Sequence, residues 1–257
     1  MPNSFRIAVN IGFLWRDRPF LDRIALAGRA GFDAVEFHDD AQRHAIDAVG
    51  SALQSARLPL LGLNTDMSGT VGRAALPEER QHARADIDEA IERARMLGGR
   101  AIHVVAGKAV VNVDTRATYV ENLRYAARAA ERHGLTVLIE PLSAAAMPGY
   151  FLSGFQQAAD MIERTGMPNV RIMFDVYHVH QNGEPIAETF ARFRGLIGHI
   201  QLADPVTRAE PPTTGPHAVD RVIGELQERG YSGDFGAEYI PAASVEAGLG
   251  WLRAARI

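Results

Sequence analysis

The chain contains no cysteine among its 257 residues. This absence excludes disulfide bonds, catalysis by a thiolate and zinc sites built from cysteine. An excess of basic charge is also missing, because 27 Lys and Arg stand against 31 Asp and Glu and no run of Lys and Arg occurs. A net charge of -4 gives no electrostatic preference for nucleic acid or for an anionic membrane, and we expect neither as a partner.

Long apolar runs are absent as well. No stretch approaches the ~20 apolar residues that are needed to cross a bilayer. Residues 1–6 lack a basic segment followed by an apolar core, so no signal peptide is visible and we expect a cytoplasmic protein. With 47% hydrophobic and 23% charged residues, the composition is that of a globular protein. A length near ~250 residues fits one α/β barrel. We therefore expect a single domain over residues 1–257.

Short apolar runs alternate with longer amphipathic segments along the whole chain. Eight short runs, several of them rich in Val and Ile, indicate parallel strands that are covered on both faces: residues 6–9, 34–37, 60–63, 101–105, 136–139, 170–174, 197–202 and 235–237. The periodicity between them predicts helices over residues 20–30, 78–97, 116–133 and 219–229. Each of these four segments is followed by glycine, the residue favoured in the left-handed conformation that ends many helices.

Strands that alternate with helices pair in parallel through crossover connections. Eight such units in this length predict a closed (β/α)8 TIM barrel. The alternative is an open doubly wound sheet, which would require a glycine-rich phosphate-binding loop after an early strand, and residues 9–13 do not supply one. Residues 204–215, rich in Pro and Thr, are too long for a plain connection and indicate a functional loop.

Four polar side chains occur where consecutive predicted strands end. Glu140 follows the fifth strand, Asp175 follows the sixth, Gln201 lies near the end of the seventh, and Glu238 follows the eighth. In a barrel these positions meet at one rim, where catalytic groups lie. A single carboxylate after a strand is equally well explained as a helix cap or a surface residue. Three carboxylates that meet in a pocket repel one another unless a cation lies among them, and oxygen donors favour Mg²⁺ or Mn²⁺ over zinc.

Several segments resemble the hydroxypyruvate isomerase family within the xylose isomerase-like TIM barrels. They are Ile-Glu-Pro-Leu at 139–142, Phe-Asp-Val-Tyr-His at 174–178, Gly-His-Ile-Gln-Leu-Ala-Asp at 198–204, and residues 30–37, 103–107 and 230–239. The resemblance extends over nearly the whole chain. It implies that Glu140 and Glu238 are catalytic glutamates which also touch a metal ion, and that Asp175 and Gln201 complete the ligands. It further implies that His178 and Arg208 line the substrate pocket.

The resemblance also implies an activity. Related ketose epimerases usually carry His at position 201, so Gln201 points to the branch that acts on hydroxypyruvate or 2-oxo-tetronate. In such an isomerase, a glutamate removes a carbon-bound proton from an α-hydroxy carbonyl compound to give an enediolate, and the proton returns to the neighbouring carbon. The sequence does not assign which glutamate acts first. Arg208 suits a substrate carboxylate, although a salt bridge to Glu210 or Asp204 is an equal alternative.

Departures from the family pattern fall in the loops around this site. Ser143 stands where the family has Asn, Ala209 where it has His, and Pro216 where a Gly-Glu pair is usual. The substrate, a small keto acid or keto sugar, therefore stays open. Three alternative functions also stay open: a ketose 3-epimerase, an inosose-type dehydratase on the same barrel, and a non-catalytic sugar-binding barrel. A zinc endonuclease is disfavoured by the acidic charge and by the few histidines at strand ends. The oligomeric state is open between monomer and homo-oligomer.

Further polar and aromatic side chains lie near the predicted rim. We expect most of them to have a structural role. We expect His199 to pack inside the barrel, because it shares strand parity with Gln201. Lys108 is expected to be solvated, and Glu36 and His38 to be structural. Trp15 either walls the pocket or packs beneath it.

Overall fold

The computed structural model describes residues 5–67 and 71–256. Residues 1–4, 68–70 and 257 lie outside the described part. The strands are β1 (Ile7–Asn10), β2 (Ala34–Phe37), β3 (Leu60–Asn64), β4 (Ala101–His103), β5 (Thr136–Ile139), β6 (Val170–Asp175), β7 (Ile197–Leu202) and β8 (Phe235–Ala237). The α-helices are α1 (Phe20–Ala30), α2 (Ile46–Ala56), α3 (Arg80–Met96), α4 (Val113–Glu131), α5 (Phe155–Thr165), α6 (Val176–Gln181), α7 (Ile186–Phe193), α8 (Val219–Glu228), α9 (Val245–Gly248) and α10 (Trp251–Ala254).

The eight strands form one closed barrel in chain order, and every neighbouring pair is parallel. The barrel closes where β1 pairs with β8, with Ile7 opposite Phe235 and Val9 opposite Ala237. The predicted TIM barrel is therefore confirmed, and the open doubly wound sheet is wrong. Among the described residues, the structure contains no helix that is both long enough and apolar enough to cross a membrane.

Some observed boundaries differ from the predicted ones. β6 extends by one residue to Asp175, and β1 lies one residue later than predicted and ends at Asn10, since a polar side chain that faces the barrel interior does not interrupt the backbone ladder. β4 ends at His103, two residues earlier than predicted. α4 begins three residues earlier than predicted, because Asn112 caps it. The Asn112 side chain accepts a hydrogen bond from the backbone N–H of Thr115 at 2.9 Å, and the Thr115 hydroxyl accepts one from the backbone N–H of Asn112 at 3.0 Å.

Alternate residues of each strand point to opposite faces of the barrel wall, either outward to the apolar core under the helices or inward to the barrel interior. Residues such as Val9, Val35 and Ile102 are fully buried in the main apolar core. The alternate positions carry small side chains, for example Ala34 and Ala101, and polar ones toward the rim. The interior is therefore incompletely filled and holds a cavity of about 230 Å³, whose polar lining includes Asn10, Glu36, Asn64, His103, His199 and Gln201.

Candidate active site

The rim of the barrel brings Glu140, Asp175 and His178 together. One ligand atom from each of the three lies within 4.8 Å of the other two. Nε2 of His178 is 3.9 Å from Oε1 of Glu140 and 3.8 Å from Oδ2 of Asp175. Asp175 also caps α6, since its Oδ1 accepts a hydrogen bond from the backbone N–H of Tyr177 at 2.8 Å. The helix-cap alternative is thus correct for one oxygen of Asp175, and the other oxygen faces the cluster.

Glu238 is held by three side chains at the other side of the rim. Its Oε1 accepts a hydrogen bond from Nδ2 of Asn10 at 2.9 Å and lies 2.8 Å from Nε2 of His38. Its Oε2 accepts a hydrogen bond from Nη2 of Arg208 at 2.8 Å, and the same nitrogen is 3.7 Å from Oδ2 of Asp175. Arg208 therefore links Glu238 to the first cluster.

The loop over residues 204–215 carries Arg208 into the mouth of the barrel. Arg208 adopts a left-handed backbone conformation with φ of 62°, which is uncommon outside glycine and typical of functional sites. Its guanidinium lies between the rings of Phe13 and Tyr177, 5.0 and 5.1 Å from their centroids. The ion pairs of Arg208 in the described chain are with Glu238 and Asp175, so the alternative salt bridge to Asp204 or Glu210 is wrong.

Gln201 approaches from the strand next to Asp175. The two residues are opposite each other in the pairing of β6 with β7. Nε2 of Gln201 donates a hydrogen bond to Oε2 of Glu36 at 3.0 Å, and Gln201 is buried. Its carbonyl oxygen, Oε1, has no hydrogen-bond partner within the described part of the chain.

Burial, the neighbouring charges and the hydrogen bond from His38 shift the pKa values of the three carboxyl groups at the rim. Burial raises the pKa of Glu140 well above its usual value, and the charges of Glu238 and Asp175 add to the effect. Burial also raises the pKa of Asp175, against the charge of Arg208, to about 7. For Glu238 burial acts in the same direction, but the hydrogen bond from His38 and the charge of Arg208 outweigh it and lower its pKa to about 2. Additional positive charge would stabilise this arrangement.

A divalent cation fits the donor set. Four buried polar atoms at the centre lack a hydrogen-bond partner among residues 5–67 and 71–256: Oε1 of Glu140, Oδ2 of Asp175, Nε2 of His178 and Oε1 of Gln201. Buried polar atoms are rarely left unpaired, and three of these are the oxygen donors that hard cations prefer. Glu140 and Asp175, together with Gln201 on the next strand, therefore offer oxygens that could hold a metal ion. Both oxygens of Glu238 already accept hydrogen bonds, so its role as a fourth ligand stays a prediction.

His178 differs from these four residues. Its Nδ1 faces the backbone N–H of Ser143 at 3.1 Å, and a backbone N–H can only donate. The neutral ring must then carry its hydrogen on Nε2, and burial lowers the pKa of His178 to about 3, which keeps the ring neutral. His178 consequently presents a hydrogen-bond donor to the cluster, although its position alone would also allow it to ligate a metal ion.

Asn10 was not among the predicted site residues, and Glu36 and His38 were expected to be structural. All three contact proposed ligands directly. His103 is a further polar residue at the rim, 3.9 Å from Glu140, and burial lowers its pKa to about 4. Strand parity was the signal that could have found them. Asn10, Glu36 and His103 all stand at inward positions of strand ends, where an unpaired polar side chain would be costly.

The remaining candidates make no hydrogen bond or ion pair with Glu140, Asp175 or Glu238 within the described part of the chain. His199 lines the interior cavity and its Nε2 is 2.6 Å from Oε1 of Glu36, in agreement with the expected interior position. Lys108 is exposed, as expected. Trp15 is nearly buried and donates a hydrogen bond from its indole nitrogen to Oε1 of Glu246 at 2.8 Å, so it anchors the loop after β1.

Comparison with known proteins identifies the protein family to which this barrel is similar. A family model described as xylose isomerase-like TIM barrel matches residues 24–255. The chain is 36% identical to a 2-oxo-tetronate isomerase from Cupriavidus necator, over 96% of this chain and 97% of the relative. It is 32% identical to a hydroxypyruvate isomerase from Escherichia coli, over 96% of this chain and 98% of the relative.

A solved structure described as a family 2 AP endonuclease from Brucella melitensis is 32% identical. It superposes with a TM-score of 0.92 over 100% of both chains. The chain belongs to the hydroxypyruvate isomerase family of xylose isomerase-like TIM barrels, and it is an isomerase.

Proposed function

We propose that this protein is a metal-dependent isomerase of a small α-hydroxy keto acid, either hydroxypyruvate, converted to tartronate semialdehyde, or a 2-oxo-tetronate. One observation carries the proposal. Side chains from four consecutive strands, Glu140, Asp175, Gln201 and Glu238, supply buried oxygens to the rim, and three of those oxygens lack a partner in the described residues. The names of the relatives from Cupriavidus necator and Escherichia coli support the choice of substrate class.

Each residue has a distinct role in the proposed reaction. Mg²⁺ or Mn²⁺ held by the four side chains would polarise the α-hydroxy carbonyl group and acidify its carbon-bound hydrogen. Glu140 and Glu238, on strands separated by two others, flank the substrate and move the proton between the neighbouring carbons. Nε2–H of His178 donates to a substrate oxygen, where negative charge develops in the enediolate.

Arg208 is proposed to bind the substrate carboxylate. Nη2 of its guanidinium already contacts Glu238, and Nε is buried without a hydrogen-bond partner in the described chain. The aromatic rings of Phe13 and Tyr177 restrict the guanidinium to one plane, which favours a planar carboxylate. Arg208→Lys should therefore reduce kcat/KM for a keto acid more than for an uncharged hydroxy ketone of the same length.

The proposal is tested by proton NMR in D₂O with purified full-length protein. Hydroxypyruvate, a 2-oxo-tetronate and an uncharged ketose are each incubated with chelator-treated protein, before and after addition of Mn²⁺ or Mg²⁺. We expect conversion, with deuterium incorporated at carbon, for at least one keto acid and only with the cation. Glu140→Gln and Glu238→Gln should each lower the rate by about 10²–10⁴-fold. Glu131→Gln, an exposed glutamate near the end of α4, is the matched control.

Other outcomes would assign the barrel differently. Full activity in both glutamine variants would refute the mechanism. Inversion of a ketose carbon without carbonyl transfer would identify an epimerase. Cleavage of abasic DNA in the presence of zinc would move the assignment to the nuclease class suggested by the description of the Brucella melitensis structure. Binding without deuterium incorporation or conversion of any compound would identify a non-catalytic barrel.

A further inference from the structure

We propose that Glu36 is a positioning residue that sets the orientation of the Gln201 amide, so that Gln201 presents its carbonyl oxygen, and not its NH₂ group, to the cation site. The inference rests on the proposed function, because it concerns how one proposed ligand of that site is oriented. It gives a role to a buried carboxylate that the proton-transfer chemistry itself does not use.

Glu36 lies between two side chains of β7. The residue is 4% exposed, and its Oε1 is 2.6 Å from Nε2 of His199. Its Oε2 accepts the hydrogen bond from Nε2 of Gln201 at 3.0 Å. His199 and Gln201 are two residues apart on one strand and point to the same side, so the carboxylate of Glu36 bridges them inside the barrel.

The chemistry of the two groups fixes the orientation. A primary amide has an oxygen that accepts and an NH₂ group that donates, and either end fits the same space. An ionised carboxylate can only accept. If the Gln201 amide were reversed, its oxygen would face the oxygen of Glu36, and a buried acceptor would lose its partner, which is unfavourable. The NH₂ group therefore faces Glu36, and the carbonyl oxygen faces away from it.

Gly236 makes room for this bridge. A Cβ atom at position 236 would lie 2.2 Å from Oε1 and 2.7 Å from Oε2 of Glu36, which is far inside van der Waals contact. Gly236 belongs to β8, two residues before Glu238. A methyl group here would displace the Glu36 carboxylate without removing it, which provides a second way to disturb the bridge.

Glu36 should also orient a histidine introduced at position 201. A histidine could donate a ring N–H to Glu36 and leave its other nitrogen free as a ligand, in the arrangement that commonly orients metal-bound histidines. Gln201→His should therefore retain cation binding while Glu36 is present. Combining it with Glu36→Gln should weaken that binding again.

The experiment is a titration of chelator-treated, full-length protein with Mn²⁺, with free Mn²⁺ followed by electron paramagnetic resonance. Loss of a partner that orients a ligand typically lowers metal affinity by about 10–100-fold, and we expect Glu36→Gln to fall in this range because its amide lets Gln201 bind in either orientation. Gly236→Ala should weaken binding in the same direction. Gly224→Ala is the control, since no described atom lies within 4 Å of a Cβ there.

A double-mutant cycle separates orientation from simple loss of charge. If Glu36 acts through Gln201, adding Glu36→Gln to Gln201→Ala should change the Mn²⁺ affinity by less than about twofold. Equal losses in both backgrounds would overturn the inference, because they would show that only the charge of Glu36 matters. Thermal unfolding of each variant identifies any loss of affinity that merely follows loss of the fold.

Failure of the inference is distinguishable from failure of the proposed function. If Glu140→Gln and Asp175→Asn leave Mn²⁺ affinity unchanged, the metal site itself is refuted. If those two variants lose binding while Glu36→Gln and Gly236→Ala match the parent protein, the cation site stands and only the positioning role of Glu36 is refuted.

Discussion

The backbone N–H of Ser143 lies 3.1 Å from Nδ1 of His178, and this contact decides which ring nitrogen of the histidine carries a hydrogen. Nε2 must carry it, and Nε2 faces Glu140 and Asp175. The Ser143 hydroxyl also lies 3.2 Å from Nδ1. The backbone contact alone fixes the tautomer, because a backbone N–H can only donate whereas a hydroxyl can donate or accept.

His178 is expected to contribute to turnover and not to metal affinity. His178→Ala removes a donor to the developing negative charge, and loss of one such donor lowers kcat by about 10²–10³-fold in other enzymes. Steady-state kinetics should show a loss of that size, while a Mn²⁺ titration should give nearly the parent affinity. Asp175→Asn is the contrasting variant and should lose the affinity. If His178→Ala also abolishes Mn²⁺ binding, the histidine is a ligand and the inferred tautomer is wrong.

Cation binding should strengthen as the pH rises toward neutrality. Burial raises the pKa of Asp175 to about 7, so below this pH its carboxyl holds a proton that a cation must displace. Burial raises the pKa of Glu140 as well, which acts in the same direction. Calorimetric titration with Mn²⁺ in two buffers of different ionisation enthalpy should reveal proton release at pH 6. The apparent affinity should increase between pH 5.5 and pH 8. An affinity independent of pH over this interval would contradict the raised pKa values.

The cation-free protein should lose stability as the pH rises from about 4 to about 7. The pKa of Asp175 rises from 3.8 in its usual state to about 7 in the folded state. Between these values the folded protein binds more protons than the unfolded chain, so the free energy of unfolding falls as the pH rises through this window. Asp175→Asn stays neutral, and without cation at pH 8 it should melt above the parent, by about 2–4 °C for each kcal/mol regained.

Calorimetry at pH 5 and pH 8, with chelator and with Mn²⁺, checks this expectation. Added Mn²⁺ should reverse the order at pH 8, because a ligand stabilises only the protein that binds it, by about 2.7 kcal/mol at 100 times Kd. A parent protein that is equally stable at both pH values in chelator would show that Asp175 ionises normally.

The barrel was predictable because its signals are local and repeated. Each strand is a short apolar run, and Gly31 ends α1 in the left-handed conformation that the sequence indicated, with φ of 90°. The four proposed ligands were predictable for a related reason. In a parallel barrel the residue after each strand lies at the same rim, so Glu140 and Asp175 could be brought together from position alone.

The partners of these ligands were not predictable from local patterns. The contacts of Glu238 with Asn10 and His38 span 228 and 200 residues, and they depend on how the barrel closes between β1 and β8. The direction of Arg208 depends on a left-handed backbone conformation in a long loop, which no periodicity encodes. Strand parity could place Glu36 inside the barrel, but not select Gln201 as its partner across the interior.

Gly12 is expected to be necessary for the contact between His38 and Glu238 and thereby for the lowered pKa of Glu238. Its backbone N–H donates to Oδ1 of Asn10 at 2.9 Å, and a Cβ at this position would lie 2.2 Å from Nδ1 of His38. Gly12→Ala should therefore push His38 away from Glu238. The hydrogen bond from His38 lowers the pKa of Glu238, so weakening it raises that pKa and holds the carboxylate less firmly in place for proton transfer.

The size of the effect follows from the loss of one hydrogen bond to a charged group, which contributes about 1.5–3 kcal/mol, so kcat/KM should fall by roughly tenfold or more. The measurement is a pH profile of kcat/KM for the parent and for Gly12→Ala. Gly195→Ala is the control, because no atom of the described residues lies within 4 Å of a Cβ at that position. A kcat/KM equal to that of the parent at every pH in Gly12→Ala would show that the contact with His38 does not matter for Glu238. The charge of Arg208 would then be the main cause of the lowered pKa.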